Sequence, residues 1–242
     1  MIFAAGMGTR LRPLTNKLPK ALVPVAGIPL LERVILKLAD AGFNDITINI
    51  HHLGQQIIDF LEARHYFGLC IHISDERGKL LNTGGGIRQA RPFLEGDEPF
   101  LVHNADILTD ADLRALWHEH LSTGAEATLL VGQRKTSRYL LMDKGMRMHG
   151  WTNKLTQEVR PAGLKTEHYE EWAFDGIHVF SPSLFRYMEA PQWEGPFSII
   201  DFYLHVCADI LIQGSPIHAT HWFDTGTQET LDKAQAWYKG KR

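Results

Sequence analysis

The sequence predicts an α/β protein with a Rossmann-like, mixed but mostly parallel central sheet flanked by helices. Short apolar segments alternate with helical periodicity along most of the chain, which is typical of βαβ units. From about residue 133 to residue 175 the pattern changes to that of antiparallel strands, with a hairpin turn expected at Asp143-Lys144-Gly145. We therefore expect a small antiparallel insertion in the second half of one domain that spans residues 1–242.

Short runs rich in Ile, Val and Leu predict the strands, because each is bounded by Gly, Asn, Asp or Pro. They lie at about residues 2–5, 46–50, 69–73, 99–103, 127–131 and 176–180. Since Met1 to Ala5 already has the pattern of a buried strand, we expect either an abrupt start or one or two missing residues.

Helices are predicted where apolar residues recur at helical spacing. The first has Pro29 in its first turn and Gly42 just past its end, and its apolar face starts at Leu31 and repeats at i+3, i+4 and i+7. Asp110 or Asp112 is expected to cap a later helix. Further helices are expected at about residues 55–64, 84–93, 198–212 and 227–238.

The composition indicates a soluble globular chain. Of its 242 residues, 44% are hydrophobic and 22% are charged, and the formal net charge is −3 at pH 7. This charge argues against a general nucleic-acid binder, which needs a basic face. No apolar run approaches the length of a membrane span, so we expect a cytoplasmic protein with no membrane partner. A monomer and a homodimer both remain open.

The cysteines and histidines do not predict a zinc site. Cys70 and Cys207 each stand in an apolar run, so we expect buried, reduced thiols. His51 and His52 are adjacent in a strand, and His118 and His120 are two apart on a helix and point in different directions, so neither pair suits one metal. His218 and His221 have no carboxylate or cysteine at ligand spacing.

The most informative segment follows the first strand. Ala4-Ala5-Gly6-Met7-Gly8-Thr9-Arg10 combines small residues, whose backbone N–H groups can approach a phosphate, with a fixed positive charge, and Lys20 adds a second. A tight turn with solvated basic residues competes with this interpretation. A Walker A loop is excluded because no Gly-Lys-Ser/Thr occurs, and a dinucleotide fingerprint because Leu11 replaces its third small residue.

Two aspartates are candidates for metal binding. Asp106 follows a predicted central strand, where open α/β sheets bind ligands, and Asp224 stands in an aromatic-flanked turn before a helix. Mg²⁺ needs hard oxygen ligands and commonly takes one or two carboxylates plus substrate phosphates. A helix cap or a turn residue is the competing role for Asp106 and for Asp224. We assign the capping role to Asp110 and Asp112.

The longer pattern resembles the signature of the sugar-1-phosphate nucleotidyltransferases, a family with a glycosyltransferase-A-like fold. It comprises residues 4–15 and then Pro19-Lys20 through Leu30, followed in family order by Thr83-Gly84-Gly85-Gly86, Asn104-Ala105-Asp106 and Trp222-Phe223-Asp224-Thr225-Gly226-Thr227. The resemblance covers nearly the whole chain and is weakest from residue 133 to residue 174. Ala105 departs from the glycine that the family commonly has before its metal-binding aspartate.

The resemblance implies a role for each matching residue. Arg10, Lys20 and Asp106 would be catalytic, and Asp106 and Asp224 would hold Mg²⁺. Lys20, Asn104 and Asp175 would contact the sugar phosphate. Residues 1–132 would form the nucleotide-binding half and residues 133–242 the substrate-side half. The nucleotide would lie against Ala4, Ala5, Gly6, Gly8, Thr9, Arg10, Thr83 and Gly84.

The expected substrates are a nucleoside triphosphate and a sugar 1-phosphate. Within the family, the pattern most resembles enzymes that join UTP to N-acetylmuramate 1-phosphate. Guanylyltransferases that use mannose or heptose 1-phosphate are the alternative. A catalytically silent sugar-nucleotide sensor is an alternative of another class, because a fold by itself does not establish an activity.

Overall fold

The computed structural model of the chain describes residues 1–217 and 219–240 and has a ten-stranded sheet at its centre. Those residues contain seven α-helices and fourteen β-strands. The helices are α1 (Leu30–Asp40), α2 (Gly54–Ala63), α3 (Asn82–Gln89), α4 (Arg91–Leu94), α5 (Leu113–Thr123), α6 (Ile199–Val206) and α7 (Gln228–Gly240). The strands are β1 (Ile2–Phe3), β2 (Pro24–Val25), β3 (Ile28–Pro29), β4 (Asp45–Ile50), β5 (Cys70–Asp75), β6 (Phe100–Asn104), β7 (Ile107–Thr109), β8 (Ala127–Gly132), β9 (Arg138–Met142), β10 (Met148–Asn153), β11 (Glu158–Arg160), β12 (Glu170–Phe180), β13 (Ile212–Ser215) and β14 (Trp222–Asp224).

The first half of the chain forms the parallel part of the sheet, in the order β6, β1, β4, β5. Helix α1 precedes β4, α2 connects β4 to β5, and α3 and α4 connect β5 to β6. The predicted βαβ organisation is therefore confirmed. Because parallel neighbours point the same way, the carboxyl ends of these four strands meet at one edge of the sheet, where ligands bind in open α/β folds.

The second half adds antiparallel strands. Strand β12 pairs antiparallel with β6, β8 and β9, and β10 and β11 extend the sheet beyond β9. The hairpin turn lies where it is predicted: the Asp143 N–H donates to the Arg147 carbonyl at 3.0 Å, and Asp143 Oδ1 accepts from the Gly145 N–H at 2.8 Å. The predicted antiparallel insertion is therefore present.

Three segments differ from the prediction. The helix expected to reach residue 212 ends at Val206, and the next apolar run forms β13, which pairs parallel with β8. The helix expected at residues 84–93 is divided into α3 and α4, with Pro92 in the first turn of α4, where a missing N–H costs nothing. Residues 222–224 form β14, which pairs antiparallel with β7.

The two cysteines have different environments. Cys207 is buried, as expected, and burial raises the pKa of its thiol. Cys70 is exposed, so the expectation of a buried thiol is wrong for this residue. The reason is its place in the sheet: Cys70 is the first residue of β5, which forms one edge of the sheet.

The core lies on both faces of the sheet. The apolar face predicted for α1 is confirmed, because Leu31, Val34, Ile35 and Leu38 are at most 2% exposed. Each such side chain stabilises the fold by about 1.5–3 kcal/mol relative to an exposed position. A second cluster includes Phe180, Phe202 and other residues from the second half of the chain. Among the described helices, none is long and apolar enough to cross a membrane.

Candidate active site

A cavity of about 620 Å³ lies at the carboxyl ends of the parallel strands. Its wall includes residues that directly follow β1 and β6 and residues from the end of β5 to the start of α3. Most of the predicted site residues contribute to it. They are Ala4, Ala5, Gly6, Gly8, Thr9, Arg10, Lys20, Thr83, Asn104 and Asp106.

The backbone after β1 is held by a buried side chain that the sequence analysis missed. Asn49 Oδ1 accepts hydrogen bonds from the N–H groups of Ala4 and Ala5, at 2.8 and 3.3 Å. Its Nδ2 donates to Glu76 Oε1 at 2.7 Å, and Glu76 Oε2 accepts from the Leu81 N–H at 3.0 Å. These contacts connect the segment after β1 to the loop before α3. The signal in the sequence is a polar residue between Ile48 and Ile50 of a buried strand.

Glu76 supplies a carboxylate to the cavity wall. Its residue is only 2% exposed, and burial raises the pKa of its carboxyl group above the usual value. The hydrogen bonds from Asn49 and Leu81 act in the opposite direction and stabilise the charged form. Since each carboxylate oxygen has two lone pairs, Glu76 retains acceptor capacity toward a ligand.

Gly8 is required by close packing in the loop that follows β1. Its φ is +61°, and a Cβ there would lie 2.7 Å from Thr15 Cγ2. Thr15 Oγ1 also donates to the Gly8 carbonyl at 2.7 Å. The Thr15 carbonyl in turn accepts from His52 Nε2 at 3.0 Å. The corner between β4 and α2 therefore positions the loop that carries Arg10.

Lys20 and Asp106 form an ion pair inside the cavity, with the Lys20 amino group hydrogen-bonded to Asp106 Oδ2. Asp106 lies two residues after the end of β6, and Lys20 is the first residue of a short 3₁₀ helix. Both charges therefore lie in the wall of the cavity.

Asp224 is brought beside Asp106 by the pairing of β14 with β7. Asp224 is the register partner of Ile107, the residue after Asp106. Both the N–H and the hydroxyl of Thr225 donate to the Asp106 carbonyl, at 2.9 and 2.8 Å. Asp224 itself is half-buried and is not part of the cavity wall, whereas Gly226 is.

Gly226 leaves space for the Arg10 guanidinium. A Cβ at residue 226 would lie 2.4 Å from Arg10 Nη2 and 2.7 Å from Asp224 Oδ1. Asp224 Oδ1 also accepts from the Gly226 N–H at 2.8 Å. Arg10, Asp224 and Gly226 therefore form one compact group at the edge of the cavity.

The donor set fits a hard divalent cation. Asp106 and Asp224 stand on adjacent backbone segments and offer only carboxylate oxygens, the ligands that Mg²⁺ prefers. The Lys20 ammonium pairs with the Asp106 carboxylate, the same negative charge that a cation held by Asp106 would neutralise.

Thr83 and Gly84 have structural partners that the sequence analysis did not anticipate. The Ile199 N–H donates to Thr83 Oγ1 at 2.9 Å, and the Gly84 N–H donates to the Phe197 carbonyl at 2.9 Å. A Cβ at Gly84 would lie 2.2 Å from the Phe197 ring. Thr83 lines the cavity, but Gly84 is buried behind it. The glycine is needed here for packing against Phe197.

Asp175 lies outside the cavity wall. It is buried, its Oδ1 accepts from Arg134 Nε at 2.8 Å, and burial raises the pKa of its carboxyl group. The Arg134 guanidinium stacks 3.9 Å from the centre of the Trp222 ring. Asn104 lines the cavity and lies close to Gly176, the residue after Asp175. A Cβ at Gly176 would be only 2.8 Å from Asn104 Nδ2.

The described residues of the histidine pairs have different environments. His51 Nδ1 is hydrogen-bonded to the Glu76 carbonyl at 2.7 Å. His120 is buried while His118 is exposed, so the two point in different directions as predicted. His221 Nδ1 contacts Asp110 Oδ2 at 2.8 Å, a carboxylate partner from a distant part of the sequence; His218 lies outside the described residues.

Of the two candidate caps, only Asp112 caps α5. Its Oδ1 accepts from the N–H groups of Arg114 and Ala115, at 2.9 and 3.0 Å. Asp110 instead accepts from the backbone and ring of His221.

Comparisons with known proteins agree with this geometry. The family model described as nucleotidyl transferase matches residues 1–240. The chain is 47% identical over 237 residues to the N-acetylmuramate alpha-1-phosphate uridylyltransferase of Neisseria meningitidis, covering 98% of this chain and 96% of that one. It is 31% identical to the protein of the same name from Caulobacter vibrioides, covering 98% and 95%. The structure of UDP-glucose pyrophosphorylase from Acinetobacter baumannii matches with a TM-score of 0.80 and 18% identity, covering 100% of this chain and 93% of that one, which shows the shared fold.

Proposed function

The chain belongs to the nucleotidyl transferase family and is a sugar-1-phosphate nucleotidyltransferase, and we propose that it transfers the uridylyl group of UTP to N-acetylmuramate 1-phosphate. The structural observation that carries this proposal is the convergence of Arg10, Lys20 and Asp106 on one cavity at the end of the parallel strands. Similarity to uridylyltransferases along almost the full length of the chain supports the choice of donor and acceptor.

The uracil base would lie at the Glu76 end of the cavity. Uracil and guanine each present an imide or amide N–H on the pairing edge, whereas adenine and cytosine do not present one at that position. A carboxylate with free lone pairs accepts such a hydrogen bond. Glu76 would therefore accept the ring N–H of uracil or guanine, and the similarity to uridylyltransferases favours UTP.

The phosphates would lie between the loop after β1 and the end of β6. Arg10 would hold the outer phosphates of the triphosphate, and Lys20 would contact the α-phosphate or the acceptor phosphate. The family generally uses a divalent metal, and Asp106 and Asp224 would hold Mg²⁺ here, which when bound neutralises charge on the phosphate oxygens. Asn104 and Asp175 would belong to the acceptor side.

The reaction would be a single in-line displacement. The second pKa of a sugar 1-phosphate lies near ~6, by analogy with phosphate monoesters, so the acceptor is already a dianion and needs no general base. An acceptor phosphate oxygen forms a bond to the α-phosphorus while the bond to the pyrophosphate oxygen breaks. Arg10 and Lys20 would hold both reactants close and offset their mutual repulsion.

The two halves of the chain would divide the substrates. Residues 1–132 supply the loop after β1, Glu76 and Asp106 to the cavity, which suits the nucleotide. Residues 133–242 carry Asp175 and Asp224, which suits the acceptor side. We place the reaction in the cytoplasm, where nucleoside triphosphates are supplied.

The direct test is pyrophosphate release with Mg²⁺, in which the four nucleoside triphosphates are crossed with N-acetylmuramate, N-acetylglucosamine, glucose, mannose and heptose 1-phosphates. We expect UTP with N-acetylmuramate 1-phosphate to dominate. A dominant GTP pair with mannose or heptose 1-phosphate would overturn the proposed substrates. Nucleotide binding with no turnover of any pair would instead support a sensor.

A further inference from the structure

Three potential metal ligands meet at the end of the sheet opposite the active-site cavity. Asp45 is the first residue of β4 and Cys70 is the first residue of β5, and the two are direct register partners. His72 lies two residues after Cys70, so its side chain is on the same face of β5. Because β4 and β5 are parallel, this cluster lies at their amino ends, whereas the cavity lies at their carboxyl ends.

The distances between the ligand atoms suit a tetrahedral ion. His72 Nε2 lies 3.2 Å from Asp45 Oδ1 and 3.4 Å from Cys70 Sγ, and the three ligand atoms all lie within 4.8 Å of one another. Zinc bond lengths to nitrogen, oxygen and sulfur place tetrahedral ligand atoms about 3.3–3.6 Å apart. The three side chains therefore need only small adjustments to surround an ion.

The surroundings of the cluster keep the His72 ring in place. The ring stacks on Phe93, with centroids 5.0 Å apart and an interplanar angle of 17°. Cys70 is exposed, and the His72 and Asp45 side chains are 34% and 68% exposed. Three protein ligands with an open side leave a fourth position for water or an external ligand.

We propose that Asp45, Cys70 and His72 form a binding site for a divalent transition-metal ion of the zinc class. The mixed nitrogen, sulfur and oxygen donors favour Zn²⁺ or Co²⁺ over Mg²⁺, which prefers oxygen alone. On binding, the Cys70 thiol releases its proton to solvent and the thiolate becomes the ligand. The site would join β4 to the edge strand β5 and would be independent of the cation held by Asp106.

The experiment is a Co²⁺ titration of the purified chain in excess Mg²⁺, followed by the thiolate-to-cobalt absorption band, with Zn²⁺ added as competitor. We expect one equivalent of Co²⁺ to bind with a thiolate band, and Zn²⁺ to displace it. Cys70→Ser should abolish the band, and His72→Asn should weaken Co²⁺ binding roughly 10-fold or more. Pyrophosphate release with Mg²⁺ should be unchanged in both variants, because the cluster lies away from the cavity.

Matched controls are available in the same chain. Cys207→Ala removes the buried thiol, and His65→Asn removes an exposed histidine in the loop before β5. Both should keep the band and the affinity of the parent protein. The absence of a thiolate band in the parent protein, or a band that Cys70→Ser leaves unchanged, would overturn the proposal and leave a hydrogen-bonded cluster only.

Discussion

Lys20 and Asp106 form an ion pair that joins the loop after β1 to the end of β6, although the two residues are 86 positions apart. Only 12% of the lysine side chain and 26% of the aspartate side chain are exposed. The proposed reaction needs these charges separately, because the ammonium would contact a phosphate and the carboxylate would hold a cation. In the proposed reaction, binding of the substrates with their cation would therefore exchange this internal pair for two external ones.

Replacing Lys20 should separate its proposed contact with a phosphate from its competition with the cation for Asp106. In Lys20→Met, we expect the KM for the sugar 1-phosphate to rise and kcat to fall, each by roughly 10-fold, because a charged partner of the phosphate is lost. The Mg²⁺ concentration for half-maximal activity should decrease, because Asp106 no longer has a competing cation. Steady-state kinetics with Mg²⁺ and acceptor varied separately measure both effects.

The control for this change is Lys17→Met, which removes an exposed lysine from the same loop. Its kinetics should match those of the parent enzyme. A Lys20→Met variant that needs more Mg²⁺ than the parent enzyme would show that Lys20 does not compete with the cation for Asp106.

The two aspartates should be needed for turnover but not for folding. We expect Asp106→Asn and Asp224→Asn each to lower kcat by roughly 10²-fold or more, because an amide is a poor ligand for the cation that offsets the phosphate charge. Pyrophosphate release at saturating Mg²⁺ measures the effect, and the thermal midpoint of unfolding reports the fold.

Asp110→Asn is the matched control, because Asp110 is a nearby carboxylate that pairs with His221 outside the active-site cavity. It should lower kcat by less than about twofold. Near-normal turnover in either Asp106→Asn or Asp224→Asn would remove that residue from the proposed metal site.

Much of the fold could be predicted because its signals are local. The apolar period of α1 and the alternation of Ile46, Ile48 and Ile50 each depend on a few neighbouring residues. The pairing of β14 with β7 could not be predicted in this way, because three residues such as Trp222–Asp224 have too little periodicity to specify a distant partner. That pairing is nevertheless what brings Asp224 beside Asp106.

The candidate site shows the same limit. Arg10 and Lys20 could be predicted because they belong to a long motif that resembles a family signature, and both line the cavity. Asn49 and Glu76 do not stand out, since their importance comes from hydrogen bonds to the Ala4 N–H and to each other, which join β4 to the segments that follow β1 and β5. The exposure of Cys70 likewise depends on β5 being an edge strand, which no short segment specifies.

Buried histidines should make the fold sensitive to acid. Burial lowers the pKa of His103 and His120 to about 4 and that of His178 to about 3. In the unfolded chain these groups titrate near ~6.5, so between about pH 6.5 and pH 4 the unfolded state binds more protons. The free energy of unfolding should therefore be highest above pH 6.5 and fall on acidification, by about 1.4 kcal/mol per pH unit for each histidine.

His120 is the residue to test, because its ring nitrogens contact Thr128 Oγ1 at 2.9 Å and Ser181 Oγ at 3.1 Å, and glutamine retains hydrogen-bonding capacity. Denaturant unfolding of His120→Gln between pH 7 and pH 5 should show a shallower loss of stability than the parent protein. His118→Gln, on the exposed face of α5, should keep the parent slope. Equal slopes in the two variants would contradict the assignment. Burial raises the pKa of Glu76 and of Asp175, so protonation of these carboxyl groups on acidification acts in the opposite direction and favours the folded state.

Gly226 should matter because of the space it leaves for Arg10. In Gly226→Ala the new Cβ would lie 2.4 Å from Arg10 Nη2, so the guanidinium would have to move. We therefore expect kcat/KM for the triphosphate to fall roughly 10- to 100-fold. Gly78→Ala is the matched control, since a Cβ at Gly78 meets no atom within 4 Å. The steady-state kinetics of both variants measure the difference.

A double-mutant cycle then separates displacement of Arg10 from general damage to the turn. If Gly226→Ala acts through Arg10 rather than through Asp224 Oδ1, which would lie 2.7 Å from the new Cβ, it should cost little more in an Arg10→Ala background. Two losses that simply add would show that residue 226 acts independently of Arg10, most directly through the hydrogen bond from its N–H to Asp224 Oδ1. Strong non-additivity would place the arginine and the aspartate turn in one functional unit.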